Sequence, residues 1–156
     1  MRVRIKKMEA ANIDAVLEIE RVSFPTPWTK AMYIQETDLE NSNCYCLFDD
    51  EEVVAYISSW IVLDECTINK IACRADFRTC GYSTMLLNHL IHKVFGNYVK
   101  TLLIEVRESN DIAMAFYKKS GFIKKGIRKE YYSDTKEDAI LMALDIENFL
   151  SVNNSY

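Results

Sequence analysis

Apolar residues recur at helical spacing in three stretches of the chain and crowd into β-rich runs between them. Ile13, Val16 and Leu17, with Val22 further on, mark a first helix with Asn12 placed to cap it. Phe24-Pro25-Thr26-Pro27-Trp28 breaks that helix, and a second is expected to begin with Thr26 as cap and Pro27 at its first position. Met85, Leu86, Leu87, Leu90, Ile91 and Val94 form the buried side of a third helix, which Gly96 should end in a left-handed conformation. A fourth covers Asp111–Lys119, capped by Ser109 or Asn110 and ended by Gly121. Strands are expected at Val3–Lys6, Asn43–Phe48, Val53–Val62, Cys66–Cys73, Thr101–Arg107, Phe122–Tyr132 and Asp138–Leu144. The acidic run Asp49–Glu52 makes the second and third of these a hairpin. The order predicts an α/β domain with a mixed sheet of about seven strands and four flanking helices, spanning residues 1–146 and followed by a tail at 147–156.

Length and composition narrow the class. The chain has 156 residues, 49% of them hydrophobic, with only 4 Gly and 2 Pro, which fits one folded domain without linkers. A net charge of -4 gives no global basic surplus for nucleic acid. The basic cluster Lys118, Lys119, Lys124, Lys125, Arg128 and Lys129 reads as solvated helix ends and edge-strand charge. No apolar run is long enough to span a membrane, and the N-terminus does not read as a signal peptide. The five cysteines have no C-x-x-C pair and fit a reducing cytoplasm, with Cys44 and Cys46 packed on one strand face. His89 and His92 lack a third ligand in register, so no metal is expected.

Three features carry candidate chemistry. The turn Arg78-Thr79-Cys80-Gly81-Tyr82-Ser83 precedes a helix, whose unpaired N–H groups and dipole suit a phosphate or pyrophosphate, although neither a Walker loop nor G-x-G-x-x-G is present. Glu105 interrupts the apolar run Leu102–Val106 near the end of a central strand. Among apolar neighbours it would be a base near neutrality; the competing reading is a residue at the sheet margin. Tyr117 is either a buried helix-face ring or a phenol able to protonate a departing thiolate.

In combination these residues resemble the GCN5-related N-acetyltransferase superfamily. Arg78-x-x-Gly81-x-Ser83 is similar to its pyrophosphate loop. Leu103–Asn110, followed by Ala115–Phe122, is similar to the pattern E-V-R-x-S-N then A-x-x-x-Y-x-x-x-G-F of the ribosomal-protein-alanine N-acetyltransferase family. Phe24–Trp28, Leu63 through Ala72, Tyr131-Tyr132 and Glu137–Met142 extend the likeness from about residue 3 to residue 146.

The resemblance implies acetyl-CoA as cosubstrate, Glu105 as general base and Tyr117 as general acid. It places Ile71, Ala72 and Cys73 on the strand that pairs with pantetheine, and Arg78, Thr79, Cys80, Gly81, Tyr82, Ser83 and Thr84 on the pyrophosphate loop. Asn110 falls on a further coenzyme contact. Ser83 departs from the usual Gly or Ala, and Thr79 with Cys80 replaces a pair that is often basic. Transfer is expected to be direct, within a ternary complex, with the strand's N–H groups holding the oxyanion. The expected acceptor is the N-terminal amine of a protein, a ribosomal-protein alanine by this likeness, laid between Phe24, Trp28, Tyr131 and Tyr132 with Glu65 meeting its charge. A small amine or antibiotic as acceptor, and a non-catalytic acetyl-CoA-binding partner, are the alternatives. A cytoplasmic monomer is expected.

Overall fold

The computed structural model describes residues 2–153, in which one seven-stranded sheet carries helices on both faces. In chain order the elements are β1 (Val3–Lys7), α1 (Ile13–Ser23), α2 (Lys30–Asp38), β2 (Ser42–Asp49), β3 (Glu52–Val62), β4 (Glu65–Cys73), α3 (Tyr82–Phe95), β5 (Thr101–Arg107), α4 (Asp111–Ser120), β6 (Ile123–Arg128), β7 (Ala139–Asp145) and α5 (Ile146–Asn153). The sheet order is β1-β2-β3-β4-β5-β7-β6. Every pairing is antiparallel except β4 with β5, which is parallel.

Strand alternation sorts the core into two layers. Cys44, Cys46 and Phe48 of β2 face α1 and α2 together with Ile13, Val16, Leu17, Tyr33 and Tyr56. Tyr45 and Leu47 face the other way, onto Leu86, Leu87, Leu90 and Ile91 of α3 and Tyr117 of α4. Cys44 and Cys46 thus share a packed face, and four of the five cysteines are buried, with Cys80 exposed. The histidines are structural: His89 packs edge-on against Tyr45 at 4.7 Å, and His92 Nδ1 meets the Asn88 carbonyl at 2.8 Å.

Several boundaries differ from the sequence expectation, each for a local reason. Asn12 Oδ1 accepts from the Glu9 N–H (2.9 Å), so its side chain closes the preceding turn rather than α1. The second helix begins at Lys30, because Thr29 accepts from the Met32 N–H (3.2 Å), while the chain bends at Pro25 and Thr26 and stays outside any helix through Trp28. Gly96 is right-handed at φ -63°; the positive φ falls instead on Tyr98. Met85 lies on the exposed side of α3. The expected strand Phe122–Tyr132 stops at Arg128, and residues 129–138 form a connection back to β7. The expected tail is a fifth helix through Asn153: Ile146 is buried, and Phe149 and Leu150 pack on the core. The remainder of that tail, residues 154–156, lies outside the described residues.

Candidate active site

β4 and β5 pair from Glu65 with Thr101 to Ile68 with Ile104, and there the ladder stops. Ser59 pairs with Ile68 and Ser58 with Lys70, so Asn69 is an extra residue in β4. Such a bulge bends its strand. Beyond it β4 follows β3 to Cys73, β5 follows β7 to Arg107, and the sheet opens between them. The Arg74 N–H donates to Val54 O at 2.8 Å, so alternation points the backbone groups of Ala72 at β3 and those of Ile71 and Cys73 into the gap. Arg78 Nε donates to the Cys73 carbonyl (3.2 Å), tying the strand end to the loop before α3.

A cleft of about 220 Å³ fills this opening, lined among others by Phe24, Ile71, Glu105, Asn110, Tyr117 and Tyr132. Leu102, Ile104 and Val106 face the α3–α4 layer, so Glu105 projects from the opposite face of β5. Tyr117 belongs to the α3–α4 layer. The carboxylate and the phenol therefore reach one gap from the two sides of the sheet.

Their surroundings differ. Glu105 is not enclosed by apolar groups, as its strand pattern suggested: Oε1 pairs with Arg128 Nε at 3.1 Å, and the Tyr131 phenol lies close enough to feel its charge. The Glu105 charge, followed by burial, holds the Tyr131 phenol above its ordinary pKa. Tyr117 is 3% exposed and packs edge-on against Phe116 and Phe122 at 5.2 and 5.3 Å. Burial raises its phenol pKa, so the proton stays on at neutral pH.

The loop before α3 turns on Gly81, whose φ of +79° at the N-cap only glycine adopts freely. A Cβ there would meet nothing within 4 Å, so backbone conformation rather than space calls for glycine. Thr79, Cys80 and Thr84 are exposed, Ser83 is half-buried, and the first turn of α3 leaves N–H groups without intrahelical acceptors. The Tyr82 side chain turns inward, donating to Asp49 Oδ2 at 2.6 Å, which together with burial pushes its phenol up to about 12. An open backbone edge leading through a short loop to a helix N-terminus suits a ligand with an amide-bearing arm and a pyrophosphate. Asn110 lines the cleft and caps α4 through Oδ1, which accepts from the Ala113 N–H at 3.1 Å.

The acceptor candidates separate. Phe24 and Tyr132 line the cleft, whereas Tyr131 stands beside Glu105 and Trp28 packs against Tyr33 at 5.1 Å. Glu65 is misplaced as an acceptor contact: it opens β4 beside Thr101, four residues from Glu105 along β5 or about 13 Å at strand rise.

Other charged residues that shape the site went unnoticed in the sequence. Glu20, fully buried, accepts from the Tyr33 hydroxyl (2.6 Å), the Tyr56 hydroxyl and the Trp28 N–H (2.8 Å), and pairs with Lys70 Nζ at 3.3 Å. Lys70 lies over the Phe24 ring at 4.0 Å. Arg107 is bound to both Asp134 oxygens at 2.9 Å, bonds to Thr135 (3.2 Å) and stacks on Tyr132 at 4.0 Å. One signal was available for Glu20: it stands four residues after Val16 and three after Leu17, on the apolar stripe of α1.

Comparison with known proteins agrees with this fold. The model of the acetyltransferase (GNAT) family matches residues 13–122. An Escherichia coli protein named [ribosomal protein bS18]-alanine N-acetyltransferase is 35% identical over 144 residues, covering 91% of this chain and 97% of that one. The crystal structure of the Escherichia coli ribosomal-protein alanine N-acetyltransferase superposes with a TM-score of 0.85 at 34% identity, covering 93% and 94% of the two chains. An acetyltransferase from Thermoplasma acidophilum, solved in complex with coenzyme A, shares the fold at a TM-score of 0.79 and 14% identity, over 93% of this chain and 99% of that one. The chain belongs to the GNAT family of acetyl-CoA-dependent N-acetyltransferases, and the Escherichia coli relatives it resembles are named as ribosomal protein bS18-alanine N-acetyltransferases.

Proposed function

We propose that this chain transfers the acetyl group of acetyl-CoA to the N-terminal α-amine of a protein, an alanine of a ribosomal protein, by direct attack within a ternary complex. The observation that carries the reading is the convergence of Glu105 and Tyr117, from opposite faces of the sheet, on the gap between β4 and β5. The relatives' names supply the acceptor class.

Each step has a candidate residue. The exposed edge of Ile71 and Cys73 would pair with the pantetheine arm, and the loop from Arg78 to Thr84 would receive the pyrophosphate on backbone N–H groups. An α-amine has a pKa of about 7.7–8.0, so at neutral pH most of it is protonated. Glu105 first takes that proton, directly or through a water, and passes it to solvent; the neutral nitrogen then attacks the thioester carbon and gives up its second proton by the same route. The oxyanion is met by an N–H of Ile71 or Cys73, the backbone donors that alternation turns into the gap. The C–S bond breaks, Tyr117 gives its proton to the thiolate, and the phenol is reprotonated from solvent. The buried thiol of Cys73 is not needed as a nucleophile: burial raises its pKa, and no histidine lines the cleft.

Phe24 and Tyr132 wall the α1–α2 side of the gap, where an extended peptide can lie. We read the protein as a monomer acting in the cytoplasm. The test is a steady-state comparison of kcat/KM for N-terminal peptides, beginning with Ala-Arg, against spermidine, free lysine and an aminoglycoside. Peptides beginning with alanine should lead. A small amine exceeding all of them by tenfold would exclude the acceptor while leaving the family unaffected.

A further inference from the structure

Two arginines flank the cleft and are held in different ways. The Arg107 side chain is 16% exposed and is fixed by paired bonds to Asp134, a bond to Thr135 and the face of Tyr132. Arg128 stands at the end of β6, the outermost strand, with its side chain 57% exposed. Its contacts are the 3.1 Å ion pair to Glu105 and a distant approach to the Tyr131 ring at 5.6 Å. A single solvated pair of this kind is weakly held. Glu105 is fixed in β5 between β7 and the gap, its side chain 19% exposed. The carboxylate stays in place, and its cation is free to leave.

We propose that Arg128 is a placeholder for the acceptor's α-ammonium: it occupies the cationic position beside Glu105 in the free enzyme and is displaced when an N-terminus binds. The inference rests on reading Glu105 as the carboxylate that meets the acceptor amine. An arriving N-terminus carries its proton at neutral pH and so brings the same charge to the same carboxylate. Two cations cannot share that position without repulsion, so binding exchanges one for the other. The exchange keeps the carboxylate paired between turnovers, and its cost falls on acceptor affinity alone. Arg128 is thus a positioning residue that sets the acceptor KM, and coenzyme binding lies outside its reach.

The test is acceptor kinetics of the full chain as Arg128→Gln and Arg128→Lys, beside Glu105→Gln, with an Ala-Arg peptide at low and high salt. Arg128→Gln should lower the peptide KM by about two- to fivefold, the span an exposed ion pair is worth. Arg128→Lys, which keeps the cation, should give a KM above that of Arg128→Gln. The difference between parent and Arg128→Gln should shrink as salt rises, and the acetyl-CoA KM should not change. At its exposure the substitution should leave the melting temperature alone. A peptide KM that rises or stays put in Arg128→Gln overturns the placeholder, the first outcome showing that Arg128 holds the peptide itself. Parental turnover in Glu105→Gln would instead remove the reading of Glu105. Slow Glu105→Gln with an unlowered KM in Arg128→Gln overturns the placeholder alone.

Discussion

Ile68 is the last residue of β4 to pair with β5, and its partner is Ile104. The residue after each belongs to the cleft: Asn69 is the bulge that turns β4 away, and Glu105 is the carboxylate left facing the gap. One interrupted ladder therefore creates both the open edge and the place for acid–base chemistry.

Replacing Glu105 by Gln removes basicity with little change in volume. Turnover should fall by roughly 10²–10⁴, the usual span for a lost acid–base group. Acetyl-CoA should still raise the melting temperature, since saturation at 100 times the dissociation constant is worth about 2.7 kcal/mol. Equal turnover with an unmoved pH profile would make Glu105 a marginal strand residue.

Tyr117→Phe keeps the ring packed between Phe116 and Phe122, so its thermal stability should stay close to that of the parent. Turnover should drop, and more steeply for thioesters whose leaving thiol has a high pKa. A uniform drop across leaving groups would count against the phenol as the proton donor.

Glu20 fastens the wall of the cleft, because its bonds to the Trp28 N–H and Lys70 hold the non-helical stretch after α1 against the sheet. Glu20→Ala leaves Lys70 and two hydroxyls facing a buried void and should cost about 3–5 kcal/mol. Glu20→Gln can still accept from the tyrosines and should lose less, while raising the peptide KM through a looser Phe24. Chemical denaturation and acceptor kinetics check the two effects separately. Unchanged peptide KM in a folded Glu20→Gln would limit Glu20 to stability.

Arg107 holds the connection between β6 and β7 by a planar, bidentate contact that lysine cannot reproduce. Arg107→Lys should raise the peptide KM several-fold with little effect on acetyl-CoA, as should Tyr132→Ala. Coenzyme affinity falling in step with peptide affinity would show that the connection serves the whole cleft.

Stability should fall at alkaline pH. Burial raises the thiol of Cys66 from 9.0 to about 11 and that of Cys46 to about 12, and raises the phenols of Tyr33, Tyr56 and Tyr117. These groups ionise first in the unfolded chain, which then binds fewer protons than the native state. Their contribution is complete below about pH 9 and is lost as pH rises through 11 and beyond. Urea titrations at pH 8, 9.5 and 11 should show a falling midpoint; a constant midpoint would mean the buried thiols and phenols are open to solvent.

Much of this architecture was readable from the chain alone. β-rich runs, helical stripes and cap residues indicated every strand and four of the five α-helices among the described residues, and Glu105, Tyr117 and Gly81 stood out as a carboxylate, a phenol and a glycine in a small set of motifs. The fifth helix was missed because Ile146, Phe149 and Leu150 show their apolar face only against a core that the tail itself helps to cover. Glu65 looked suitable because charge type says nothing about which end of a strand carries a residue.

What the sequence determined by itself was the order of elements and the chemical kind of the central residues, since both follow from local spacing and side-chain type. What only the tertiary structure decided was which charges meet. Asn69 enters β4 as one extra residue: Ile68 faces α3 before it, and Ala72 faces α1 after it. That shift brings Lys70 onto Glu20 and Phe24, from positions 50 and 46 residues earlier in the chain. Arg128 reaches Glu105 because β7 folds in between β5 and β6. Pairings of this kind depend on strand register and sheet order, which are set by the packing of the whole domain and leave no periodic mark on the residues that make them.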